Sequence, residues 1–598
     1  MAEYSPMMQK YLETKEQYKD CILFYRLGDF YEMFFDDAVN VSRELELTLT
    51  GKDCGQAERA PMCGVPFHAA DTYINRLVEK GYKVAICEQV EDPKQAKGLV
   101  KREVIKVVTP GTNFNSGALN EDRNNYLMCI AYMGRSIGLA VTDVTTGEFM
   151  VSELSSGREL LDEINKFAPS EIICNESFDI SGIDLTEIRN RLSISMSSLD
   201  SWYFDDDGAK RILKDHFKVS SLDGLGLTDY PTGIIASGAL MNYLYETQKN
   251  SLPHITRITP YSTGRYMIID SFTRRNLELV ETMREKNKKG SLLWVLDKTK
   301  TAMGARLLRN IIEQPLITVE DIRKRQQAVK ELIDNYITRE EIREYLNPVY
   351  DLERIIGRIS TKSAGPRELI AFRGSLEMLP SIKKELASLK SEKMQELYKE
   401  LDTLDDIYDL INRSIVDEPP LQIKDGGIIK DGFNEEVDRL RSAKTDGKNW
   451  LAQLEASERE RTGIKTLRIK YNKVFGYYFE VTNSFKDMVP DDYIRKQTLT
   501  NAERYTMPEL KELEDIILGA EDKLFALEYD IFADIRNRIA AQVVRIQNSA
   551  RAIAGIDVFA SLALVAQQNN YVCPSINKKG IINITGGRHP VVEKMIPD

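Results

Sequence analysis

The sequence predicts a multidomain protein in which mixed α/β domains are followed by long helices. Short apolar runs alternate with helical patterns in residues 1–254, as expected of α/β domains. Charged segments with helical periodicity dominate residues 255–445, and two heptad-like helices then flank a β-rich insert. A chain of 598 residues has room for about four such domains.

Composition and charge exclude several classes of protein. Hydrophobic residues make up 42% of the chain and charged residues 29%, as in soluble globular proteins. The seven cysteines form no C-x-x-C pair and the four histidines have no metal-ligand spacing, so we expect no disulfide framework and no metal site. We find no signal pattern and no run of about 18 apolar residues, and therefore expect no membrane partner. The net charge of −11 argues for local, not extensive, nucleic-acid-binding surfaces.

Residues 1–113 are predicted to form a compact mixed α/β domain. Apolar runs at 21–25 and 83–87 indicate buried strands, and residues 71–81 have the pattern of a helix that ends at a glycine. Gly28-Asp29 indicates a turn, after which residues 31–35 are expected to lead into a helix. This turn places Phe30 just beyond the edge of a rigid strand.

Phe30 and Glu32 are the candidate recognition residues of this domain. A phenyl ring at a turn is suited to wedge between stacked bases, and a carboxylate two residues later is suited to share a proton with a base edge. Composition alone favours the alternative that Phe30 fills a hydrophobic core, because most apolar residues are buried.

A basic strip follows near the end of the domain. Residues 94–106 contain five positive side chains and one acid. Lys94, Lys97, Lys101 and Arg102 are candidate contacts for a DNA backbone. A solvated charged surface without a partner is the alternative.

Residues 114–254 are predicted to form a second α/β domain. Residues 137–142 and 148–154 indicate two strands joined by a tight turn, and a helix and a further strand follow them. Asp143 at a strand end suggests a metal-dependent nuclease, which needs clustered carboxylates. Partner acids are not evident at comparable strand ends, so the alternative is that Asp143 is a turn residue.

Residues 255–445 and 509–566 are predicted to be lever helices. Apolar residues recur in alternating steps of three and four at 437–454 and 510–531, which predicts two antiparallel helices that form a stalk. Further long helices are predicted at 274–285, 302–312 and 367–379.

The insert at 446–508 is predicted to be a β-rich domain at the tip of the stalk, with a hairpin around Asn472-Lys473. Residues 465–504 contain eight Lys/Arg and five Asp/Glu in an otherwise acidic chain. Side chains that donate hydrogen bonds there suit phosphate oxygens, although a polar tip without a partner is the alternative. The candidate donors are Lys470, Asn472, Lys473, Arg495, Lys496, Gln497, Thr498, Asn501 and Arg504.

Residues 567–598 are predicted to begin a further domain, with strands at 571–574 and 581–585. A phosphate-binding G-x-x-x-x-G-K-[ST] loop is absent from the sequence. We therefore expect no ATP hydrolysis by these 598 residues.

Six stretches form a series that runs along the whole chain. They are LFYRLGDFYEMFFDDA (23–38), APMCGVPFHAADTYINRLVEKGYKVAICEQVEDP (60–93), VTPGT (108–112), NKVFGYYFEVT (472–482), RKQTLTNAERY (495–505) and GRHPVVE (587–593). In this order they resemble the MutS family of bacterial DNA mismatch-recognition proteins. Relatives that bind branched DNA generally lack the Phe-x-Glu motif that Phe30 and Glu32 supply here, which makes such a paralogue the weaker alternative.

The resemblance implies a function and a domain plan. Phe30 and Glu32 would bind mismatched double-stranded DNA, with a ribonuclease-H-like connector at 114–254, a DNA clamp at 446–508 and the start of an ABC-type ATPase domain at 567–598. It implies a homodimer in which one subunit's phenylalanine enters the DNA, with MutL as a downstream partner. ATP and Mg²⁺ are expected cofactors of the full-length protein but not of this chain, and a cytoplasmic, nucleoid-associated location is expected.

Overall fold

A computed structural model describes residues 4–91, 100–115, 117, 119–250, 252–262, 264, 266–421, 423–472 and 474–596. The chain separates into two compact units. The first contains the described residues of Met1–Ser363, Gly374–Leu404 and Ala540–Asp598, and the second contains those of Ala364–Arg373 and Asp405–Ile539. The multidomain class, with mixed α/β structure followed by a helical part, is confirmed.

The first unit begins with a six-stranded mixed sheet. Its elements are α1 (Pro6–Gln17), β1 (Cys21–Leu27), β2 (Phe30–Phe34), α2 (Phe35–Leu45), β3 (Thr50–Lys52), β4 (Ala60–Pro66), α3 (Ala70–Glu79), β5 (Lys83–Gln89) and β6 (Arg102–Val108). The strand order is β3-β4-β2-β1-β5-β6, and only β1 and β5 are parallel neighbours. Apolar residues of α2 and α3 belong to the buried cluster on one face, and those of α1 belong to the cluster on the other.

A second six-stranded sheet follows. Its elements are β7 (Leu127–Tyr132), β8 (Ile137–Asp143), β9 (Glu148–Leu154), α4 (Gly157–Phe167), β10 (Glu171–Asn175), α5 (Glu176–Asp179), α6 (Thr186–Leu192), β11 (Ser195–Leu199), α7 (Asp206–Phe217), α8 (Pro231–Gln248) and β12 (Thr259–Pro260). The order is β11-β10-β7-β8-β9-β12. Strands β7, β8 and β9 are antiparallel, whereas β10 is parallel to β7 and to β11.

Helices dominate the rest of the chain. They are α9 (Ser271–Asn276), α10 (Leu292–Leu296), α11 (Ala302–Glu313), α12 (Val319–Asp334), α13 (Tyr336–Leu346), α14 (Leu352–Ser360), α15 (Pro366–Leu386), α16 (Glu392–Glu400), α17 (Asp405–Ser414), α18 (Glu435–Thr462), α19 (Pro508–Ala540), α20 (Val543–Gln568) and α21 (Val592–Met595). The predicted helices at 302–312 and 367–379 are therefore confirmed.

Helix α20 is the core helix of the first unit. It packs against α11, α12, α14 and α16. Its length and hydropathy also satisfy the criteria for a membrane span, which the search for apolar runs had missed. However, 78% of its apolar window is buried inside the protein, as expected of a core helix.

The second unit contains the predicted stalk and a four-stranded antiparallel sheet, which we call the tip sheet. Its strands are β13 (Arg468–Asn472), β14 (Gly476–Thr482), β15 (Ile494–Thr498) and β16 (Ala502–Thr506), in the order β13-β14-β16-β15. Helices α18 and α19 pack closely and run antiparallel. Gly447 adjoins Ile517, and Lys444, one turn earlier on α18, forms a 2.6 Å ion pair with Glu521, one turn later on α19. The antiparallel heptad prediction is thus confirmed. Helix α18 continues to Thr462, so strand structure begins at Arg468.

Two predictions of secondary structure are wrong, and one is refined. The helix expected after residues 31–35 is present as α2 and begins at Phe35, but residues 30–34 before it form β2, because this segment pairs with β1 on one side and β4 on the other. The helix predicted at 274–285 ends at Asn276, since Leu279 and Val280 turn into the core and residues 278–279 pair with residues 292–293. Residues 571–574 and 581–585 form no strand, and Val572 and Ile582 are exposed without a neighbouring strand among the described residues.

Candidate nucleic-acid interface

The Phe30 hairpin, which consists of β1, Gly28-Asp29 and β2, presents one aromatic ring to solvent. Leu27 pairs with Phe30, so Gly28 and Asp29 form a two-residue turn, and Gly28 has φ +60°, a conformation that favours glycine. The Asp29 carbonyl accepts a 2.9 Å hydrogen bond from the Phe67 N–H, which ties the turn to the end of β4. The Phe30 side chain at this turn is 45% exposed.

The neighbouring aromatic residues are buried. Tyr31 and Met33 face the apolar cluster shared with α2 and α3, and Phe34 faces the cluster shared with α1. Because side chains alternate along a strand, Phe30, Glu32 and Phe34 share one face of β2. Of these three, only Phe34 is buried. The core-filling alternative therefore describes the neighbours of Phe30 but not Phe30 itself.

A polar network joins the Phe30 hairpin to strand β5. The Tyr31 hydroxyl donates to the Glu88 carboxylate on β5, and Arg26 Nη1 lies 3.3 Å from the same carboxylate. The Arg26 guanidinium also lies 3.8 Å from the centre of the Phe67 ring. Burial and the adjacent Glu88 carboxylate raise the pKa of Tyr31 far above its usual value, so this hydroxyl remains a donor. Sequence reasoning missed Arg26 and Glu88 as supporting residues.

Glu32 forms an ion pair with a lysine of the same sheet. Its Oε2 accepts a hydrogen bond from Lys52 Nζ on β3 and forms an ion pair with it. The Glu32 side chain is 16% exposed, and its direct neighbour across β4 is Gly64. The candidate carboxylate therefore lies beside Phe30 but has a cationic partner that the sequence did not reveal.

The predicted basic strip is only partly described. Lys94 and Lys97 lie outside the described residues. Lys101 is exposed and forms a 2.6 Å ion pair with Glu103. Arg102 donates to the carbonyls of Arg26 and Val100, at 2.8 and 2.9 Å, so its guanidinium fixes backbone next to the hairpin.

Strand register places several candidate donors on one outer face of the tip sheet. Ile469, Phe479 and Tyr505 face the apolar core on the inner side. The residues that alternate with them occupy the outer side. Those that were predicted as donors are Lys470, Asn472, Gln497 and Arg504.

These outer-face donors have partners within the sheet. Lys470 forms a 2.7 Å ion pair with Glu480 on the next strand. Arg504 donates a 2.7 Å hydrogen bond to Gln497 and lies 4.5 Å from the centre of the Tyr478 ring.

Asn472 and the remaining candidates lie at the edge and turns of the sheet. Asn472 accepts a 2.8 Å hydrogen bond from the Val474 N–H, which shapes the β13–β14 turn, and Lys473 lies outside the described residues. Arg495 lies 3.7 Å from Glu503, and Lys496 is exposed at a β-bulge of strand β15. Thr498 and Asn501 are exposed at the β15–β16 turn.

Two further cations belong to this surface and were missed. Arg468 is exposed two residues before Lys470 on β13, and the two-residue period of a strand was a sufficient signal to find it. Lys486 lies 3.6 Å from Glu503, which also accepts from the Tyr505 hydroxyl. Burial and Glu503 raise the pKa of Tyr505 to about 12.

Asp143 does not form a nuclease site in the described part of the chain. Its carboxylate accepts from the backbone N–H and hydroxyl of Thr145, from the Asn124 amide and from the Asn125 N–H. No group of three or more His, Cys, Asp or Glu residues suited to a metal occurs among the described residues. The turn alternative is therefore the better interpretation of Asp143, and it fully accounts for this buried carboxylate.

Comparison with known proteins identifies the family. Residues 5–116, 125–256 and 272–563 match MutS domains I, II and III, respectively. The DNA mismatch repair protein MutS of Acetivibrio thermocellus is 55% identical over 600 residues, which cover all of this chain and 68% of that protein. The chain belongs to the MutS family. The namesake of Lachnoclostridium phytofermentans is 63% identical over 598 residues, which are all of this chain but 64% of that protein.

The MutS matches divide the candidate residues between two domains. The Phe30 hairpin lies in the MutS domain I match, and the tip sheet lies in the MutS domain III match. The resemblance seen in the motifs is thus confirmed, and neither rival function gains support. The chain spans about two thirds of the length of the MutS relatives that it matches.

Proposed function

We propose that this chain recognises mispaired or unpaired bases in duplex DNA during mismatch repair. The observation that carries the proposal is the exposed Phe30 ring at the tip of a hairpin whose other aromatic residues are buried. A phenyl ring that is exposed on a rigid turn forgoes the favourable free energy of burial. A binding partner that covers the ring would recover this free energy.

Deformability of the DNA supplies the selectivity. Inserting Phe30 into a base step costs about a few kcal/mol of unstacking, and stacking of the ring on a base returns about 1–3 kcal/mol. The balance is unfavourable at an intact base pair. At a mismatch the stack is already weakened, so the same insertion costs less.

Glu32 supplies a contact that does not depend on base identity. Its position on the same face of β2 puts it next to Phe30. An ionised carboxylate accepts hydrogen bonds, and a protonated one also donates to a base acceptor. One site is thereby able to accept several kinds of displaced base.

The tip sheet acts in this proposal as a DNA clamp. Lys470 and Arg495 exchange their acidic partners for phosphates, the exposed Lys496 contacts phosphate as well, and together they hold any duplex, whatever its sequence. The paired helices α18 and α19 carry the clamp as levers. The second sheet, with three antiparallel strands extended by parallel β10 and β11, has the arrangement expected of a ribonuclease-H-like connector.

ATP-dependent steps are proposed for the whole protein on family membership alone. The 598 residues contain no G-x-x-x-x-G-K-[ST] loop, so the residues present do not fit an ATP and Mg²⁺ site. We also propose that residues from 567 onwards begin the ABC-type ATPase domain. A homodimer, MutL as partner and a cytoplasmic location at the nucleoid are further proposals of this kind.

Fluorescence anisotropy on matched and mismatched duplexes tests the recognition proposal. Phe30→Ala should abolish the preference for the mismatched duplex, a loss of about 5- to 150-fold if one stacking contact of 1–3 kcal/mol is removed. Val39→Ala is the matched control, because Val39 is 42% exposed on α2 of the same domain and should leave the preference unchanged. A protein with intact Phe30 that bound both duplexes equally would refute the proposal.

A further inference from the structure

The Glu32 carboxylate crosses the sheet to reach its partner. Glu32 lies on β2, its neighbour Gly64 lies on β4, and Lys52 lies on β3 at the edge beyond. Lys52 pairs with Ala60 of β4, so its side chain runs diagonally along the sheet to reach Glu32. A Cβ added at Gly64 would lie 3.5 Å from Glu32 Cγ and 3.8 Å from Phe30 Cδ1, so the glycine keeps the space beside the carboxylate free.

The ion pair between Glu32 and Lys52 is partly withdrawn from water. The two side chains are 16% and 32% exposed, and the ammonium lies 5.7 Å from the centre of the Phe34 ring. Partial desolvation makes such a pair stronger than one on an open surface.

We infer that Lys52 is a specificity-determining residue of the Phe30–Glu32 site. This inference rests on the proposed function of that site. A displaced base must compete with the Lys52 ammonium for the Glu32 carboxylate. A base acceptor requires the protonated acid, in which case Glu32 takes a proton from solvent and Lys52 stays charged, free to bind a phosphate. The strength of the Lys52–Glu32 ion pair thus sets the minimum binding free energy that a displaced base must supply to replace Lys52 as the partner of Glu32.

A double-mutant cycle tests the inference. Lys52→Met keeps the apolar stem and removes the charge that competes for Glu32, so the affinity for a mismatched duplex should rise about 1.4- to 5-fold, the worth of one ion pair of 0.2–1 kcal/mol. The affinity for a matched duplex should not rise, because Glu32 has no base to contact there. In the Glu32→Gln background the gain should vanish, since no carboxylate remains for Lys52 to hold.

A rescue variant separates this role from simpler ones. Lys52→Arg should restore the original affinity for the mismatched duplex, because its guanidinium again pairs with the Glu32 carboxylate. If Lys52 only contacted phosphate, Lys52→Met would weaken the binding of both duplexes equally, with or without Glu32, and that result would overturn the inference. If Lys52 were purely structural, Lys52→Met would lower the melting temperature without tighter binding of the mismatched duplex, which would overturn it as well.

Failure of the inference is distinguishable from failure of the proposed function. If Phe30→Ala leaves discrimination intact, the proposed function fails and the inference fails with it. If Phe30→Ala abolishes discrimination but Lys52→Met acts equally in both Glu32 backgrounds, only the role of Lys52 is refuted.

Discussion

The Phe30 hairpin and the tip sheet use the same residue types in opposite positions. In the hairpin an aromatic ring is exposed, and charged groups such as Arg26 and Glu88 are paired beneath it. In the tip sheet the core rings of Phe479 and Tyr505 are buried, although Tyr471 on strand β13 is 49% exposed, and charged groups such as Lys470 and Lys496 face solvent.

This inversion suits the two tasks that the proposed function assigns to these regions. An exposed ring gains energy only where a stack of bases opens, so it tests the DNA at one point. Exposed cations gain energy from any phosphate, so they hold DNA everywhere and lose affinity as salt rises. Discrimination should therefore depend on the hairpin and salt sensitivity on the tip sheet, and the two quantities are separately measurable.

The largest expected effect comes from removing a buried ring of the tip sheet. Phe479→Ala should destabilise this sheet by about 3–5 kcal/mol, because Phe479 is fully buried and stacks on Tyr493 at 5.0 Å between ring centres. Hydrogen exchange should accelerate in β13–β16 but not in the Phe30 hairpin, and both duplexes should bind more weakly. Val474→Ala, at an 81% exposed position, is the control and should change neither. Selective loss of mismatched DNA would contradict the comparison.

Local patterns in the sequence predicted much of this comparison. The hairpin turn at Gly28-Asp29 and the paired helices α18 and α19 follow from residues close together in the chain. Phe30 and Glu32 were selected from a short motif, and the structure places both on one face of β2.

Partners that are distant in the chain were not predictable. Lys52 is 20 residues from Glu32, and Glu88 is 57 residues from Tyr31, so no periodicity links either pair. The helix predicted at 274–285 was wrong for a related reason, since packing of Leu279 into the core overrides local helix propensity.

A smaller effect is expected from the hairpin turn. Gly28→Ala should cost about 1–2 kcal/mol, because an alanine at φ +60° is strained although no atom lies within 4 Å of the added Cβ. The shifted turn should also reduce the preference for mismatched DNA, measured by anisotropy. Gly519→Ala in α19, likewise without atoms within 4 Å, should instead raise thermal stability. Equal melting temperatures for the two variants would show that the turn does not require glycine.

The tip sheet should carry the salt dependence. Lys470→Ala combined with Lys496→Ala should reduce the slope of log affinity against log salt by about 0.9 for each phosphate that the protein no longer neutralises, alike for both duplexes. Lys330→Ala on α12 is a control for general charge, because Lys330 is also exposed and paired with an acid. If the double variant instead changed the ratio of the affinities for matched and mismatched DNA and left the salt slope unaltered, that result would show that backbone binding and mismatch discrimination are not carried by separate regions.

The smallest effect should come from releasing a cation of the tip sheet from its internal partner. Glu480→Gln removes the 2.7 Å ion pair with Lys470 and leaves a side chain of the same shape. Exposed pairs are worth about 0.2–1 kcal/mol, so both duplexes should bind about 1.4- to 5-fold more tightly at low salt. The gain should disappear in the Lys470→Ala background, because only the freed ammonium contacts the DNA. A gain that persisted there would mean that Glu480 repels the duplex directly and that Lys470 is not the cation it restrains.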